Sequence, residues 1–314
     1  MILSDKYIAG FLDADGSIYV QRNKLLCVEF YQKQSNDGVI NMIRDRLVPG
    51  SKIYTKCGKR RGMLSIASRL SITGQRAVDI ACRLKPYIVT KRARLNRFLS
   101  ELEFTERIGT NSMPIHPTRK WLAGYFDGDG CIHASVCRNG GSASISLSID
   151  GHSSEIEGLL LVKKAFGGRI FKRGDNGSRW EIKADAAKSK AFLGYFAKHL
   201  IIKREQAYFI LGCAAMGHFR DGETIHDVLR VMKAHPHRLS DLTASVDVTK
   251  DLALVRNIQS SPGHSYKHFH GQKCSSCGST EIYALGMCNP CWQKDRYYVK
   301  KTTQAEATVG HLYI

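Results

Sequence analysis

A twelve-residue pattern occurs twice in this chain of 314 residues, and it restricts the fold more than any other feature. Residues 7–18 read YIAGFLDADGSI, and residues 121–132 read WLAGYFDGDGCI. Each copy has an aromatic residue, an aliphatic residue, Ala-Gly, two bulky apolar residues and then Asp-small-Asp-Gly. Self-similarity at a fixed distance indicates a duplicated structural unit. We therefore predict a fold that has two related halves.

The similarity continues downstream of both copies. Apolar and polar residues alternate from Ile18 and from Ile132, and this period of two predicts half-buried strands. A turn, a second strand, a helical stretch (39–47 or 156–166), a further hairpin and a closing helix then follow in each copy. The second Asp recurs after 114 residues, and a Lys of the closing helix recurs after 112. This spacing predicts an α+β chain with two pseudo-symmetric αββαββα units.

Charge indicates the kind of partner. The 47 Lys and Arg residues outnumber the 28 Asp and Glu residues, which gives a net charge of +19. A surplus of this size on a folded chain predicts a polyanionic partner, and nucleic acid is the first candidate. A generic basic protein is the alternative that charge alone leaves open.

Composition limits the remaining organisation. No apolar run approaches the roughly 18 residues of a membrane span, and acidic residues near the N-terminus argue against an export signal. We expect no membrane partner, and a location in the cytoplasm or wherever the host DNA lies. The predicted domains are a first half at 1–104, a linker at 105–118, a second half at 119–215, a helical extension at 216–258, a linker at 259–273, and a zinc finger with a basic tail at 274–314.

The repeated pattern also carries chemistry. Its small residues, such as Gly10 and Gly124, suit a helix that approaches another helix closely. Asp15 and Asp129 then lie in the last helical turn, where the helix dipole disfavours negative charge. Two such helices side by side would bring both carboxylates together, and a divalent cation such as Mg²⁺ would balance them. Ordinary helix-end aspartates are the alternative reading of either copy.

On these residues, the chain resembles the LAGLIDADG homing endonuclease family in its single-chain, two-motif form, through IAGFLDADG at 8–16 and LAGYFDGDG at 122–130. The resemblance covers residues 1 to about 215. It implies that the motif helices form the interface of the halves and that two antiparallel sheets form a saddle over the DNA major groove. The implied activity is a Mg²⁺-dependent double-strand break in a long, asymmetric DNA target, made by a monomer.

The resemblance implies roles for individual residues. The last acidic residue of each motif binds the catalytic metal in the family, which matches Asp15 and Asp129 here. The family also places a basic residue of the closing helix near the scissile phosphates. Lys91 and Lys203 match that position, and we expect them to stabilise developing charge or to tune the attacking water.

A polar residue at the end of the second strand often contacts the water at the metal in this family. Gln32 matches it in the first half. In the second half, Asp150 has a suitable polar side chain, whereas the alternation of side chains along the strand selects Gly151 as the equivalent position. We therefore expect the two sites to differ.

Outward strand positions and one basic hairpin in each half are the candidates for DNA contact, because an antiparallel ribbon fits the major groove. The first-half candidates are Tyr19, Gln21, Asn23, Lys59, Arg60 and Arg61, and the second-half candidates are His133, Ser135, Lys172, Arg173 and Arg179. Exposed polar side chains are common on strands, so an ordinary surface role is the alternative for each. Different side chains in the two halves predict an asymmetric target.

Four of the ten cysteines form a separate cluster with the spacing C-x2-C-x10-C-x2-C. Two such pairs are typical of tetrahedral Zn²⁺, and a module of this size takes its folding energy from the metal. The predicted ligands are Cys274, Cys277, Cys288 and Cys291. Basic and aromatic residues follow, which suits additional DNA contact, while a purely structural or protein-binding finger stays open.

Other functions are open on the same fold. An RNA maturase would have intron RNA as its partner, and a regulator would bind DNA without cutting it. Retention of both acids and both lysines favours catalysis, because a pure binder has no need for carboxylates that face phosphates. An intein is disfavoured, since the chain begins with Met1 and ends in HLYI, without the nucleophile and the His-Asn ending of self-splicing.

Overall fold

The structure is a computed structural model that describes residues 3–33, 36–60, 63–102, 116–137, 141–216, 219 and 222–234. The chain divides into two compact units, Met1–Ser245 and Val246–Ile314. Every described helix and strand lies in the first unit, so the account of the fold is an account of that unit.

Two series of elements in the same order make up this unit. The first half consists of α1 (Asp5–Asp15), β1 (Gly16–Val20), β2 (Leu26–Lys33), α2 (Gly38–Leu47), β3 (Ile53–Arg60), β4 (Met63–Thr73), α3 (Gln75–Leu84) and α4 (Arg92–Glu101). The second half consists of α5 (Arg119–Asp129), β5 (Gly130–Val136), β6 (Ala143–His152), α6 (Glu157–Phe166), β7 (Arg169–Arg173), β8 (Gly177–Ala184), α7 (Ala186–Phe196) and α8 (Arg204–Ala215). Helix α9 (Gly222–Ala234) follows and packs against β5.

Each half has a four-stranded antiparallel sheet, in the order β1-β2-β4-β3 or β5-β6-β8-β7. The registers correspond, because Gly16 pairs with Phe30 and Gly130 pairs with Ile149. Phe30 and Ile149 are fully buried on the helix-covered side of their sheets. We call the opposite side the open face; it carries Tyr19, Tyr31, Tyr54 and Arg69 in the first sheet, and His133, Asp150, Arg173 and Arg179 in the second. The predicted α+β fold of two antiparallel halves is confirmed.

The single closing helix predicted for each half is wrong, because two helices are present. In the first half α3 ends at Leu84, a short 3₁₀ turn contains Pro86, and α4 begins only at Arg92. The backbone between them is extended at Ile88, so the N–H groups that follow are free to bind a side chain instead of continuing a helix. The second half repeats this break between α7 and α8.

Candidate active site

The two copies of the repeated pattern form α1 and α5. Ser4 and Thr118 cap these helices, because their hydroxyl oxygens accept hydrogen bonds from the N–H groups of Tyr7 and Trp121. Each helix ends at the second Asp of its pattern, and the following glycine begins a strand. The carboxylate therefore lies where a helix passes directly into the sheet of its half.

Glycines allow α1 and α5 to touch backbone to backbone. A Cβ on Gly10 would lie 2.0 Å from the carbonyl oxygen of Trp121, and one on Gly124 would lie 2.1 Å from that of Tyr7. Near the other end, a Cβ on Gly128 would lie 3.1 Å from the backbone nitrogen of Asp15. The helices thus run side by side in the same direction, and their C-terminal ends meet.

Asp15 and Asp129 lie at this meeting point, and both are half-buried. Burial, followed by the charge of Asp15, raises the pKa of Asp129 to about 7. Burial also raises the pKa of Asp15, against the lowering effects of Lys203 and of the hydrogen bond from Gln32. Two carboxylates this close resist ionising together, so the site favours a cation between them.

Lys91 and Lys203 are close to this site, but they lie just before α4 and α8 rather than inside a closing helix. The ammonium of Lys91 donates to the carbonyl oxygens of Leu12 (2.9 Å), Ala14 (3.3 Å) and Asp13 at the end of α1. That of Lys203 donates to the corresponding carbonyls at the end of α5. Each lysine therefore satisfies the unpaired carbonyls of a motif helix.

The lysines also act across the boundary between the halves. Among the cations that lower the pKa of Asp15, Lys203 has the largest effect, and for Asp129 it is Lys91. Burial is the main cause that lowers the pKa of both lysines. The ammonium that most strongly favours the ionised form of each carboxylate therefore comes from the other half. The sequence did not indicate this pairing.

The first Asp of each pattern also helps to build the site, and the sequence did not predict this. The buried carboxylate of Asp13 accepts hydrogen bonds from the N–H groups of Val89 (2.8 Å) and Lys91 (2.9 Å) and from Nε1 of Trp121 (2.9 Å). It therefore holds the lysine segment of its own half against the motif helix of the other half.

Asp127 repeats this arrangement in the second half. It accepts hydrogen bonds from the N–H groups of Ile201 (2.7 Å) and Lys203 (2.9 Å) and from the hydroxyl of Tyr7 (2.6 Å). The sequence did contain a signal for Asp13 and Asp127, since the first Asp and the leading aromatic residue recur in both copies of the pattern.

The two sides of the site differ, as expected. Nε2 of Gln32 donates to Oδ2 of Asp15 at 2.9 Å. The strand registers place Gly151 at the corresponding position of the second half. A cavity of about 270 Å³ lies there instead, and its lining includes Asp129, Lys91, Gly151 and Glu155. On the Asp15 side an amide therefore donates to the carboxylate, whereas the Asp129 side has open space at the equivalent position.

Comparison with known proteins shows that part of the chain is similar to a known family. Residues 122–216 match the LAGLIDADG endonuclease family. No curated protein sequence matches the chain. The LAGLIDADG match begins within α5, includes Asp127 and Asp129, and continues through Lys203 and α8.

Solved LAGLIDADG structures share the fold of both halves. I-LtrWI bound to target DNA has 13% identity and a TM-score of 0.56, and the match covers 74% of this chain and 98% of that one. I-GzeII in complex with its DNA target has 14% identity and a TM-score of 0.52, with 68% and 90% covered. I-SmaMI bound to uncleaved DNA in the presence of calcium ions has 13% identity and a TM-score of 0.50, with 73% and 98% covered. At this identity the likeness establishes the saddle fold.

The predicted DNA-contacting residues of the first half that the structure describes lie in three places: on β1, in the turn after β1 and at the end of β3. Tyr19 lies in β1 on the open face, and Gln21 follows the end of that strand, where its N–H donates to the carbonyl of Leu25. Asn23 was predicted on the strand, but it lies in the turn to β2, since its side-chain oxygen accepts the N–H of Leu25. Lys59 and Arg60 end β3, and their side chains, like the whole of Arg61, lie outside the described residues.

In the second half, Arg173 and Arg179 share the open face with the exposed residues His133 and Ser135. Lys172 does not, because side chains alternate along a strand and its neighbour Arg173 faces the open side. Its cross-strand partner Ser178 is buried.

Helix α9 reaches this open face beside His133. Burial lowers the pKa of His133, and Lys233 and His226 of α9 add to the effect. The ammonium of Lys233 also lies 3.7 Å from the sulfur of Cys131. The helical extension thus places charged groups next to a predicted DNA contact.

The described residues contain no group of three or more His, Cys, Asp or Glu side chains that could hold a metal ion. Any metal between Asp15 and Asp129 would therefore need further oxygen ligands from backbone, amide, water or substrate. The predicted zinc ligands Cys274, Cys277, Cys288 and Cys291 lie outside the described residues. Within the described part of the chain, the helices are too short or too polar to cross a bilayer.

Proposed function

We propose that this chain is a site-specific DNA endonuclease that makes a double-strand break in a long, asymmetric target. The observation that carries the proposal is the convergence of Asp15 and Asp129 at the paired ends of α1 and α5, in a unit where Asp129 belongs to the LAGLIDADG match. In addition, the net charge of +19 supports a polyanionic substrate. Because both halves belong to one polypeptide, we propose that it acts as a monomer.

The donor set fits a hard divalent cation, and we propose Mg²⁺. The charge of Asp15 adds to burial in raising the pKa of Asp129, and both carboxylates lie at the negative ends of two helices. The pKa of each carboxyl stays raised in spite of Lys91 and Lys203, so a further cation would be stabilised between them. Asp15 and Asp129 would hold the ion, which would polarise the scissile phosphate and stabilise the attacking and leaving oxygens. The structure of I-SmaMI bound to uncleaved DNA was determined in the presence of calcium ions, which is consistent with a divalent ion as the cofactor proposed for this chain.

Lys91, Lys203 and Gln32 would influence the charge and the position of the two carboxylates. The three N–H groups of the Lys91 ammonium already face helix carbonyls, so we propose that it acts through its field rather than by touching phosphate. Lys203 would act in the same way, favouring the ionised form of Asp15. Gln32 would orient the Asp15 carboxylate, to which it donates.

The test is incubation with a randomised duplex library, with Mg²⁺ or with EDTA, followed by sequencing of the cut ends. The native chain should cut both strands of a small set of duplexes only when Mg²⁺ is present. Asp15→Asn with Asp129→Asn should bind the same duplexes and leave them intact, because the charges that hold the metal are gone. Asp45→Asn, on the exposed end of α2, is the matched control and should cut normally.

Cleavage by the double variant at the native rate would refute this mechanism. Sequence-specific binding without cleavage by the native chain would favour the DNA-binding regulator instead. Retention of structured intron RNA in place of duplex DNA would favour the maturase.

A further inference from the structure

Two arginines of the second open face share one carboxylate. Arg179 donates from Nε to Oδ1 of Asp150 and from Nη2 to Oδ2, both at 2.7 Å. Arg173 donates from Nη1 to the same two oxygens at 2.9 and 2.7 Å. Asp150 therefore bridges two guanidinium groups, and we call these three residues the arginine fork.

The fork leaves one hydrogen-bonding edge of a guanidinium available. Arg173 uses only Nη1, so its Nε and Nη2 have no hydrogen-bond partner among the described residues. Its side chain is 56% exposed, compared with 24% for Arg179. An Nε–Nη2 edge is the side of arginine that pairs with two acceptors at once, and guanine presents such a pair, N7 and O6, in the major groove.

The first half has a different arrangement at the same three positions. The registers equate Asp150 with Tyr31, Arg179 with Arg69, and Arg173 with Lys56. There the ammonium of Lys56 lies 5.6 Å from the centre of the Tyr31 ring.

The remaining cation of the first half, Arg69, contacts the Tyr31 hydroxyl and lowers the pKa of Tyr31, so its partner at this position is a phenol and not a carboxylate. Arg69 lies 3.6 Å from a carboxylate oxygen of Glu29, which is buried. A lysine has no planar edge with two donors. The two open faces thus offer different hydrogen-bonding chemistry at equivalent places beside the catalytic carboxylates.

We propose that Asp150 is a specificity-positioning residue, which holds Arg173 so that it reads a guanine in the half-site bound by the second half. The inference rests on the proposed DNA endonuclease function and assigns part of its target preference. Pairing with Arg179 fixes the carboxylate, and the carboxylate fixes Arg173, so the guanidinium meets the base without losing further freedom. The equivalent base pair of the other half-site has no such reader and should tolerate change.

The experiment measures binding, so that it does not depend on cleavage. The duplex most enriched by the native chain in calcium is varied one base pair at a time, and the affinity for each variant duplex is measured. One guanine position in one half-site should show at least about a tenfold preference over other bases. Asp150→Asn should reduce that preference to less than about threefold and leave the other positions unchanged.

Two further variants separate positioning from charge. Arg173→Lys keeps the positive charge and removes the two-donor edge, so it should lose the same guanine preference while affinity for a permissive duplex falls little. It also provides the test if Asp150→Asn does not fold. Asp175→Asn, in the exposed turn between β7 and β8, removes an acidic charge from the same hairpin and should keep the native profile.

Each outcome is decisive. An unchanged base profile in Asp150→Asn and Arg173→Lys would overturn the inference and leave the proposed function standing. Equal weakening at every position would assign the fork to phosphates and would also overturn it. Absence of any enriched duplex for the native chain would refute the proposed function, and the inference with it.

Discussion

At the scale of the residue, two aspartates of one short pattern have separate tasks because of helix geometry. Asp13 and Asp15 are two residues apart, which turns their side chains by about 200° around the helix axis. Asp13 therefore reaches the segment that carries Lys91, whereas Asp15 meets Asp129. The same division holds for Asp127 and Asp129 in the other half.

The carboxylate pair should make stability depend on pH. Burial and the charge of Asp15 raise the pKa of Asp129 from 3.8 to about 7. The unfolded chain releases this proton at lower pH than the folded chain, so the metal-free protein loses stability as pH rises from about 4 to about 7. Asp129→Asn should therefore raise the melting temperature in EDTA by about 3 °C or more at pH 8, and by clearly less at pH 5.

Thermal melts at the two pH values check this prediction, and Asp45→Asn is the control for loss of an exposed acid. Addition of Mg²⁺ at pH 8 should stabilise the native chain more than the Asp129→Asn variant, since ligand binding to the folded state raises stability. An equal gain at pH 5 and pH 8 would contradict the raised pKa.

At the scale of the element, the helix pair depends on two glycines. Any Cβ at Gly10 or Gly124 would overlap a carbonyl of the opposite helix, so the helices would have to separate. Separation would also move Asp15 away from Asp129 and Trp121 away from Asp13. Stability and the site are therefore coupled through the same contact.

Gly10→Ala should lower the free energy of unfolding by about 3 kcal/mol, because the backbone of α5 blocks the new methyl group. Urea denaturation measures the change. Gly212→Ala is the matched control, since Gly212 lies in α8 with no atom near its missing Cβ, and it should stabilise the chain by up to about 1 kcal/mol. Similar stability of both variants would show that the helices are not held this closely.

At the scale of the whole molecule, the described unit is a duplicated fold with a single, shared centre. The two sheets have the same strand order, but their open faces carry different residues. Under the proposed function, the two halves of one chain would therefore bind two unlike half-sites. The C-terminal cysteine cluster is a separate proposal, which depends on the spacing of four thiols alone.

We predict about one Zn²⁺ per chain, bound by that cluster. Cys274→Ser with Cys288→Ser should reduce the zinc content to near zero and shorten the DNA footprint, while cleavage chemistry stays. Cys57→Ser with Cys137→Ser is the control, because both are exposed free cysteines. Metal analysis and footprinting are the measurements. Full zinc content in the first variant would refute the site, and an unchanged footprint would argue against its contact with DNA.

The sequence alone determined the duplication, the motif helices and the two metal-binding candidates. These features are repeated and local. The same pattern forms a helix in both copies, so Asp15 and Asp129 lie at the C-terminal ends of equivalent helices. The DNA-facing positions were only partly predictable, because alternation along a strand fails at turns and depends on where the strand begins. Asn23 lies in a turn and not on the predicted strand. Lys172, which was predicted from the charge of its hairpin, lies on the opposite side of its strand from Arg173.

Only the tertiary structure decided which groups act together. The pairing of Lys203 with Asp15, of Trp121 with Asp13, and of two arginines with Asp150 joins segments that periodicity treats as unrelated. Hydrogen bonds and ion pairs depend on distances of a few ångströms between elements, and the sequence pattern encodes only which face of each element is apolar. The partners are therefore set by how the two halves pack, and by the glycines that let them pack so closely.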